Sequence, residues 1–418
     1  MTSKKNNLQP VRGTQDILPE ENRLHRYVES VALRITELYG FGEISTPLLE
    51  FTDVFSRTLG DTSDIVTKEM YTFRDRGGDC LTLRPEGTAG VARALISNGL
   101  AQNLPLKYFY RGPMFRYERP QKGRRRQFHQ VGVEVLGVAS SHADIEVIAL
   151  AHHFLSALGL DHIITLELNT LGDLESRRSY RATLLNYLAV YKDDLSDDSR
   201  ARLEKNPLRI LDSKDEGDRH IIADAPLLKD SLNDASRHFF EDLQEGLVRL
   251  SIPYKLNDKL VRGMDYYCHT AFEFTSTDLG AQGTVLAGGR YDGLVSEMGG
   301  PVTPGIGWAA GVERLSMLVN TPPEEQRPIA VIPTGQDTTS DALMIAHQLR
   351  RKGFRVEYGY TGNVGKRLKR ANAANACAAV ILGDDEISRN VGLIRDMDSG
   401  KQTEVSMDLI DDFLSKFR

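Results

Sequence analysis

One stretch, Phe115 to Val135, constrains the fold of this chain more than any other part: it reads FRYERPQKGRRRQFHQVGVEV. Two runs with strand character flank a strongly basic loop, which predicts a pair of neighbouring strands. Side chains two or four positions apart on a strand share a face. We therefore expect Arg116 and Glu118 on one face of the first strand, and Gln130 and Glu134 on one face of the second.

The rest of this stretch predicts which strand face packs into the core and which leaves space for a ligand. Val131, Val133 and Val135 alternate with the polar residues and are expected to face the core, while Gly132 leaves space for a ligand. The loop carries a cluster of cations: Arg119, Lys122, Arg124, Arg125 and Arg126. Such a cluster is either a solvated turn or a contact for a phosphate-rich partner. Together these features indicate a cleft that holds a nucleotide beside a loop that meets a polyanion.

Length and charge limit the classes of protein that remain. A chain of 418 residues with 40% hydrophobic and 26% charged residues is expected to form two or three globular domains. Its net charge of −6 means that nucleic-acid binding would depend on local patches. Three widely spaced cysteines argue against a disulfide framework or a zinc site. Without an apolar leader or a membrane-length run, we expect a soluble intracellular protein.

The pattern along the chain predicts a division into parts. Residues 175–235 are polar, with apolar positions spaced for short helices, and are interpreted as a helical insertion. Asn320 to Pro328 combines prolines with charge and is the best linker candidate. After it, strand-like IAVIP (329–333) and later runs alternate with helical patterns, which predicts a small α/β domain. Its basic helix, GKRLKRANAANA (365–376), is either a nucleic-acid face or ordinary solvent cover.

The common glycine-rich nucleotide signatures are not matched. Gly362 to Lys366 is too short for a P-loop, and Gly305 to Gly311 has one residue too many for a dinucleotide fingerprint. If the chain handles ATP, it must use another scaffold. An antiparallel sheet lined with arginines is one such scaffold, because it relies on charge placement more than on glycine geometry.

Four further segments place chemically useful residues close together: RPEGTAG (84–90), LVRGMDYY (260–267), GTVLAGGRYDGL (283–294) and PGIGWAAGVERLSMLV (304–319). Taken singly, each has an ordinary explanation, since an isolated arginine is usually at the surface and a Gly-Gly pair is usually a turn. Their joint occurrence favours one functional site.

These segments resemble the histidyl-tRNA synthetase family of class II aminoacyl-tRNA synthetases, in its bacterial form. The resemblance spans VRGTQDILP near the start, Pro47 of motif 1, motif 2 from Arg116 to Glu134, motif 3 from Gly311 to Arg314, and both histidine-specific segments. It implies an α+β fold: an antiparallel sheet flanked by helices, a helical insertion at 175–235 within a catalytic domain at 1–325, and an anticodon-binding α/β domain at 329–418.

The resemblance also implies roles for particular residues. The catalytic residues would be Arg262 and Arg116. Three further groups follow: for histidine, Glu86, Thr88, Gln130, Glu134, Tyr267 and Tyr291; for ATP, Arg116, Glu118, Phe128 and Arg314; for the tRNA acceptor end, Arg124 and Gln127. No side chain is assigned as a metal ligand, although Mg²⁺ is expected with the pyrophosphate portion of the substrate ATP.

The activity implied is attachment of histidine to its tRNA through a histidyl-adenylate, in a cytoplasmic homodimer. One alternative is the synthetase-like regulatory subunit of ATP phosphoribosyltransferase, which binds histidine without charging tRNA. Such a protein is expected to lack the anticodon-binding domain and some catalytic arginines. A second alternative is an RNA-binding module that uses only the basic loop, which would leave Glu86 and Glu134 without a purpose.

Overall fold

The structure is a computed structural model that describes residues 8–58, 65–205, 207–213, 215–261, 266–320, 325–335 and 337–417. It divides into two compact units, Met1–Pro322 and Pro323–Arg418. Within the described residues, no helix is both long and apolar enough to cross a membrane.

The first unit is built around a mainly antiparallel sheet. Among the described residues its strand order is β1-β5-β6-β11-β10-β9-β7-β8, and a smaller sheet has the order β2-β4-β3. The strands are β1 Gly42–Glu43, β2 Leu49–Phe51, β3 Tyr71–Arg74, β4 Cys80–Leu83, β5 Leu106–Phe115, β6 Gln127–Leu136, β7 Ile164–Thr170, β8 Lys255–Leu256, β9 Cys268–Ser276, β10 Thr284–Arg290 and β11 Gly305–Gly311.

Helices cover this sheet and make up most of the segment that was interpreted as an insertion. They are α1 Pro19–Leu38, α2 Asp53–Ser56, α3 Thr88–Ser97, α4 Ser141–Ala157, α5 Leu174–Ala189, α6 Asp197–Lys205, α7 Glu216–Ala223, α8 Asp234–Arg249, α9 Leu294–Glu297 and α10 Val312–Leu318. Apolar residues of α1, α4, α8 and α10 pack against one face of the sheet in a continuous core. Burial of such apolar surface is the main force that stabilises a layered fold.

The central strand pair, β5 and β6, confirms part of the sequence prediction. Val131, Val133 and Val135 are at most 1% exposed and belong to the core under the helices. Two details of the prediction are wrong. Arg116 and Glu118 do not lie on a strand, because β5 ends at Phe115 and the chain then turns toward the basic loop.

The second wrong detail concerns Gly132. Its neighbour across the sheet is Tyr110, whose ring occupies the space that we expected to be open for a ligand. A Cβ atom at Gly132 would clash with that ring and would lie 2.8 Å from the Trp308 carbonyl oxygen. Glycine is therefore required by packing within the sheet, and Tyr110 forms part of the wall.

The segment interpreted as an insertion, residues 175–235, is helical, as predicted. It contains almost all of α5, all of α6 and α7, and the beginning of α8. One buried carboxylate organises it. Asp218 accepts hydrogen bonds from the hydroxyl groups of Ser196 (2.7 Å), Ser199 (2.6 Å) and Ser213 (2.6 Å). These bonds lower the pKa of Asp218 although burial opposes them.

The second unit is a small α/β domain, as expected. Among the described residues its sheet has the order β13-β12-β14-β15-β16. The strands are β12 Ile329–Pro333, β13 Val356–Tyr358, β14 Ala378–Leu382, β15 Val391–Asp396 and β16 Gln402–Ser406, and the helices are α11 Thr339–Arg351, α12 Val364–Ala373, α13 Asp384–Ser388 and α14 Ile410–Leu414. The first three strands pair in parallel, whereas β15 and β16 are antiparallel additions that the sequence pattern did not predict.

Candidate active site

A cavity of about 810 Å³ lies in the first unit, and most of the predicted site residues line it. They are Glu86, Thr88, Arg116, Glu118, Arg124, Phe128, Gln130, Tyr267 and Arg314. Glu134 and Tyr291 are buried just behind Thr88, at the closed end of the cavity. Gln127 is exposed at the start of β6, and Arg262 lies outside the described residues.

Glu134 is the most deeply buried carboxylate at this end, with 1% of its surface exposed. Thr88 donates its hydroxyl to one carboxylate oxygen at 2.6 Å, and the Tyr291 hydroxyl donates to the other. Burial raises the pKa of Glu134 to about 8, although these hydrogen bonds oppose the shift. Gly307 on β11 lies opposite Glu134, and a Cβ atom there would collide with the carboxylate.

Glu86 is held by the start of α3. Its carboxylate accepts hydrogen bonds from the backbone N–H groups of Thr88 (2.6 Å) and Ala89 (2.8 Å). The unpaired N–H groups at a helix N-terminus favour a negative charge in this position. Burial raises the pKa of Glu86, and these backbone hydrogen bonds counteract part of that shift. Glu86 therefore stabilises the start of α3 while its carboxyl group lines the cavity.

Two polar groups near the carboxylates complete this end of the cavity. The Gln130 Oε1 atom is buried and accepts no hydrogen bond from the described residues. Tyr267 is fixed through its backbone carbonyl, which accepts a hydrogen bond of 2.7 Å from Arg177 Nη1 on α5. Sequence reasoning missed Arg177, since a charged residue on a polar helix gives no signal for so distant a contact.

The nucleotide end of the cavity, which carries the predicted residues Arg116 and Phe128, begins next to Glu86, because Arg116 contacts Pro85. The Arg116 guanidinium donates to the Pro85 carbonyl at 2.9 Å, and its Cζ atom lies 5.4 Å from the centroid of the Phe128 ring. A cation at this distance from an aromatic face is attracted by the ring quadrupole. The flat ring and the adjacent cation can accommodate a base and a phosphate.

Arg314, on α10, is the second predicted cation at this end. Its Nε donates to the Gly123 carbonyl at 3.2 Å, and its Nη1 donates to the Thr284 carbonyl at 2.6 Å. Burial, reinforced by the nearby positive charge of Arg124, lowers the pKa of Arg314. Glu118 already supplies negative charge beside these cations, and a polyphosphate would add oxygens to which the guanidinium groups can donate.

The basic loop is more inward-facing than its composition predicted. Arg124 pairs with Glu118 at 3.0 Å, and Arg125 pairs with Glu21 at 2.6 Å. The guanidinium of Arg126 lies 3.7 Å from the centroid of the Tyr117 ring. Arg119 and Lys122 are exposed, so they remain the cations of this loop that face solvent.

Residues between 196 and 215 supply a wall of the cavity that the sequence did not predict. The lining residues from this part are Ser196, Asp198, Arg202, Arg209, Ser213 and Asp215. Their short helices show no motif, so only the three-dimensional arrangement brings these residues to the site.

The antiparallel sheet, the cavity with its arginines and the appended α/β unit define a class II aminoacyl-tRNA synthetase. A family model described as "Histidyl-tRNA synthetase" matches residues 13–315, and one described as "Anticodon binding domain" matches residues 328–417. The chain belongs to the histidyl-tRNA synthetase family, which confirms the resemblance and the fold class inferred from its motifs.

Individual relatives agree with this assignment. The chain is 61% identical to the "Histidine--tRNA ligase" of Rhodospirillum rubrum over 98% of its length and 99% of the relative's. It is 55% identical to the enzyme of the same name from Gluconacetobacter diazotrophicus, with 98% of each chain covered. The apo crystal structure of S. aureus histidyl-tRNA synthetase is 33% identical, has a TM-score of 0.82, and covers 97% of this chain and 99% of its own.

Proposed function

We propose that this chain uses ATP to attach L-histidine to its cognate tRNA, through a histidyl-adenylate. The observation that carries this proposal is the arrangement of Glu134, which is buried and hydrogen-bonded to Thr88 and Tyr291 at one end of a cavity. Arg116 and Arg314 line the same cavity, and Arg116 donates to the carbonyl of Pro85, next to Glu86. In this proposal an amino-acid pocket and a phosphate-binding region share one cavity.

The closed end suits the side chain of histidine. A neutral imidazole has one N–H donor and one acceptor nitrogen, and a polar pocket that satisfies both selects it over apolar analogues. In our proposal Glu134 accepts from the ring N–H, and Tyr267 and Tyr291 line the ring. Glu86 and Gln130, with Thr88, bind the α-ammonium group. The unbonded Oε1 atom of Gln130 supports this role.

The first chemical step joins two anions, so positioning and positive charge are its main requirements. The histidine carboxylate attacks the α-phosphorus of ATP, a P–O bond forms, and pyrophosphate leaves. Arg116 would contact the α-phosphate and the attacking carboxylate, Arg314 the γ-phosphate, and Phe128 the adenine ring. Arg262 would stabilise the charge that develops at the α-phosphate. Val261 and Tyr267, on either side of its segment, line the cavity and support this assignment.

Mg²⁺ is expected to accompany the pyrophosphate portion of ATP. Glu118 and Glu273 line the cavity near Arg314, and carboxylate oxygens are the ligands that Mg²⁺ prefers in proteins. These two residues would hold the ion, which would supply positive charge against the β- and γ-phosphates.

In the second step the 3′-terminal ribose hydroxyl of the tRNA attacks the adenylate carbonyl, and AMP leaves. Arg124 and Gln127 would contact the acceptor end beside this cavity. The domain at 329–418 would bind the anticodon, and the exposed Lys366 and Lys369 of α12 support a nucleic-acid face there. The catalytic domain at 1–325 would then carry its insertion at 175–235.

A homodimer is also part of the proposal. The small sheet β2-β4-β3 follows Pro47 and leaves apolar side chains exposed, with Leu49 at 45%, Phe51 at 58% and Phe73 at 44%. An exposed apolar patch of this kind is typical of an interface between subunits. We also place the enzyme in the cytoplasm, where its tRNA substrate would be charged.

The regulatory-subunit alternative is not favoured, since relatives that are 61% and 55% identical over 98% of this chain are histidine–tRNA ligases. Histidine-dependent exchange of pyrophosphate into ATP tests the choice directly, because a protein that only binds histidine has no exchange activity. We expect Arg262→Ala to lower the exchange rate by about 10²–10³-fold, as for loss of a group that stabilises developing charge. Arg249→Ala, an exposed arginine on α8, is the matched control. Wild-type exchange in Arg262→Ala would remove this residue from the mechanism.

A further inference from the structure

A second group of polar side chains lies behind β6, on the side away from Phe128 and Gln130. His25 on α1, His129 on β6 and Glu313 on α10 each direct one nitrogen or oxygen atom to a common point, and these atoms lie within 4.8 Å of one another. His129 Nδ1 and Glu313 Oε1 are 3.0 Å apart. We call these three residues the His25 cluster.

The cluster contains a buried nitrogen atom that is left without a hydrogen bond among the described residues. The His25 side chain is 4% exposed, and its Nε2 makes no hydrogen bond to the described residues. The nearest carboxylate oxygen, Oε1 of Glu21, is 3.9 Å away and is bonded to Arg125. A buried polar atom without a bond costs stability, so it calls for an explanation such as an ion.

We infer that the His25 cluster binds a divalent transition-metal ion of the zinc type. Two imidazoles and one carboxylate form a donor set that favours zinc, cobalt, nickel or copper over magnesium or calcium. Zinc bonds of about 2.0–2.2 Å place tetrahedral ligand atoms roughly 3.4 Å apart. The His129–Glu313 separation is already below this value, so binding requires the His25 ring to move closer by about 1 Å or slightly more.

The surroundings support such a site. The backbone N–H of His129 donates to both oxygens of Glu313 at 3.0 Å. This hydrogen bond would keep the carboxylate oriented when the metal ion replaces its contact with the His129 ring. Glu313 is also among the residues that line the cavity. Glu21 stands close enough to His25 to act as a fourth ligand or to orient the ring.

The ion would have a structural effect on the cavity. It would tie α1, β6 and α10 together at His129, and His129 lies between Phe128 and Gln130, which face the nucleotide and amino-acid ends. This inference rests on the His25 cluster alone and does not depend on the proposed reaction.

The test uses the full-length chain, stripped of metal by a chelator and titrated with Zn²⁺ alone. We expect one equivalent to bind with a rise in melting temperature, and Co²⁺ to give the absorption bands of a tetrahedral site. His25→Gln should lower affinity by more than the roughly 10–100-fold typical of outer-shell partners. The control His238→Gln, an exposed histidine on α8, should bind like the wild type.

Three binding results would overturn the inference. These are no stoichiometric binding by the wild type, unchanged binding by His25→Gln, or an equal loss in His238→Gln. If His25→Gln fails to fold, His129→Gln and the Co²⁺ spectrum of the wild type decide the question. Octahedral Co²⁺ bands in the wild type would also reject the site.

Discussion

The two ends of the cavity are built in different ways. At the histidine end, Glu134 is almost fully buried, and hydroxyl groups of Thr88 and Tyr291 already occupy its oxygens. At the nucleotide end, Arg116 and Arg314 are partly exposed and donate to backbone carbonyls. A carboxylate that packing holds in place gives a preorganised pocket. A guanidinium that donates to a backbone carbonyl can release that carbonyl and donate to a phosphate oxygen instead. Amino-acid selection is thus set by the folded core, and nucleotide binding is set by groups that change partners.

The largest effect is expected when the preorganised end is altered by Glu134→Gln. The amide keeps the shape of the side chain but cannot become a carboxylate, so it offers no anionic oxygen to the imidazole N–H of a bound histidine. We expect kcat/KM for histidine in pyrophosphate exchange to fall by about 10³-fold, as when one partner of a buried charged contact is lost. The KM for ATP should remain unchanged.

Glu146→Gln is the matched control for this variant, because Glu146 lies on α4 and pairs with Lys107 at 2.7 Å, away from the cavity. It should exchange at the wild-type rate. A wild-type KM for histidine in Glu134→Gln would show that residues other than Glu134 select the imidazole. The histidine end would then not be the preorganised pocket that distinguishes it from the nucleotide end.

A smaller effect is expected at the nucleotide end. Arg314→Ala removes a cation whose present contacts are the Gly123 and Thr284 carbonyls. We expect kcat/KM for ATP to fall by about 10²-fold, in the range for loss of one charge-stabilising donor. The dissociation constant for histidine, measured by calorimetry without ATP, should stay at the wild-type value. Weaker histidine binding in this variant would mean that the two ends are not independent.

The sequence predicted the parts of the site that depend on local periodicity. Gln130 and Glu134 share a face of β6, and the valines between them are buried, because alternation on a strand is a property of neighbouring residues. The assignment of histidine as the substrate came from the resemblance, since spacing alone names no amino acid.

Other features depend on how distant elements meet, and the local pattern did not contain them. Tyr110 fills the space at Gly132 because β5 and β6 pair in one particular register. The contact of Arg177 with the Tyr267 carbonyl joins residues 90 positions apart. The three members of the His25 cluster come from a helix, a strand and a second helix, so their spacing along the chain resembles no metal motif.

The smallest expected effect is a pH dependence that belongs to the preorganised end alone. The pKa of Glu134 is about 8 in the folded chain, because burial disfavours the charged form, and it is about 4.5 as an exposed residue. Between these values the folded state holds a proton that the unfolded state has released. Wild-type stability should therefore decrease as pH rises through this window, by at most about 1.4 kcal/mol per pH unit from this group.

Glu134→Gln isolates this contribution because glutamine does not titrate and all other groups are shared. The free energy of unfolding of the first unit, measured by urea denaturation at pH 6 and pH 8, should fall more steeply in the wild type than in the variant. The difference between the two slopes gives the number of protons that Glu134 binds in the folded state beyond the number it binds in the unfolded state. Parallel slopes would mean that the carboxylate is already charged at pH 6, so that the hydroxyl groups of Thr88 and Tyr291 offset its burial completely and hold it ionised before histidine binds.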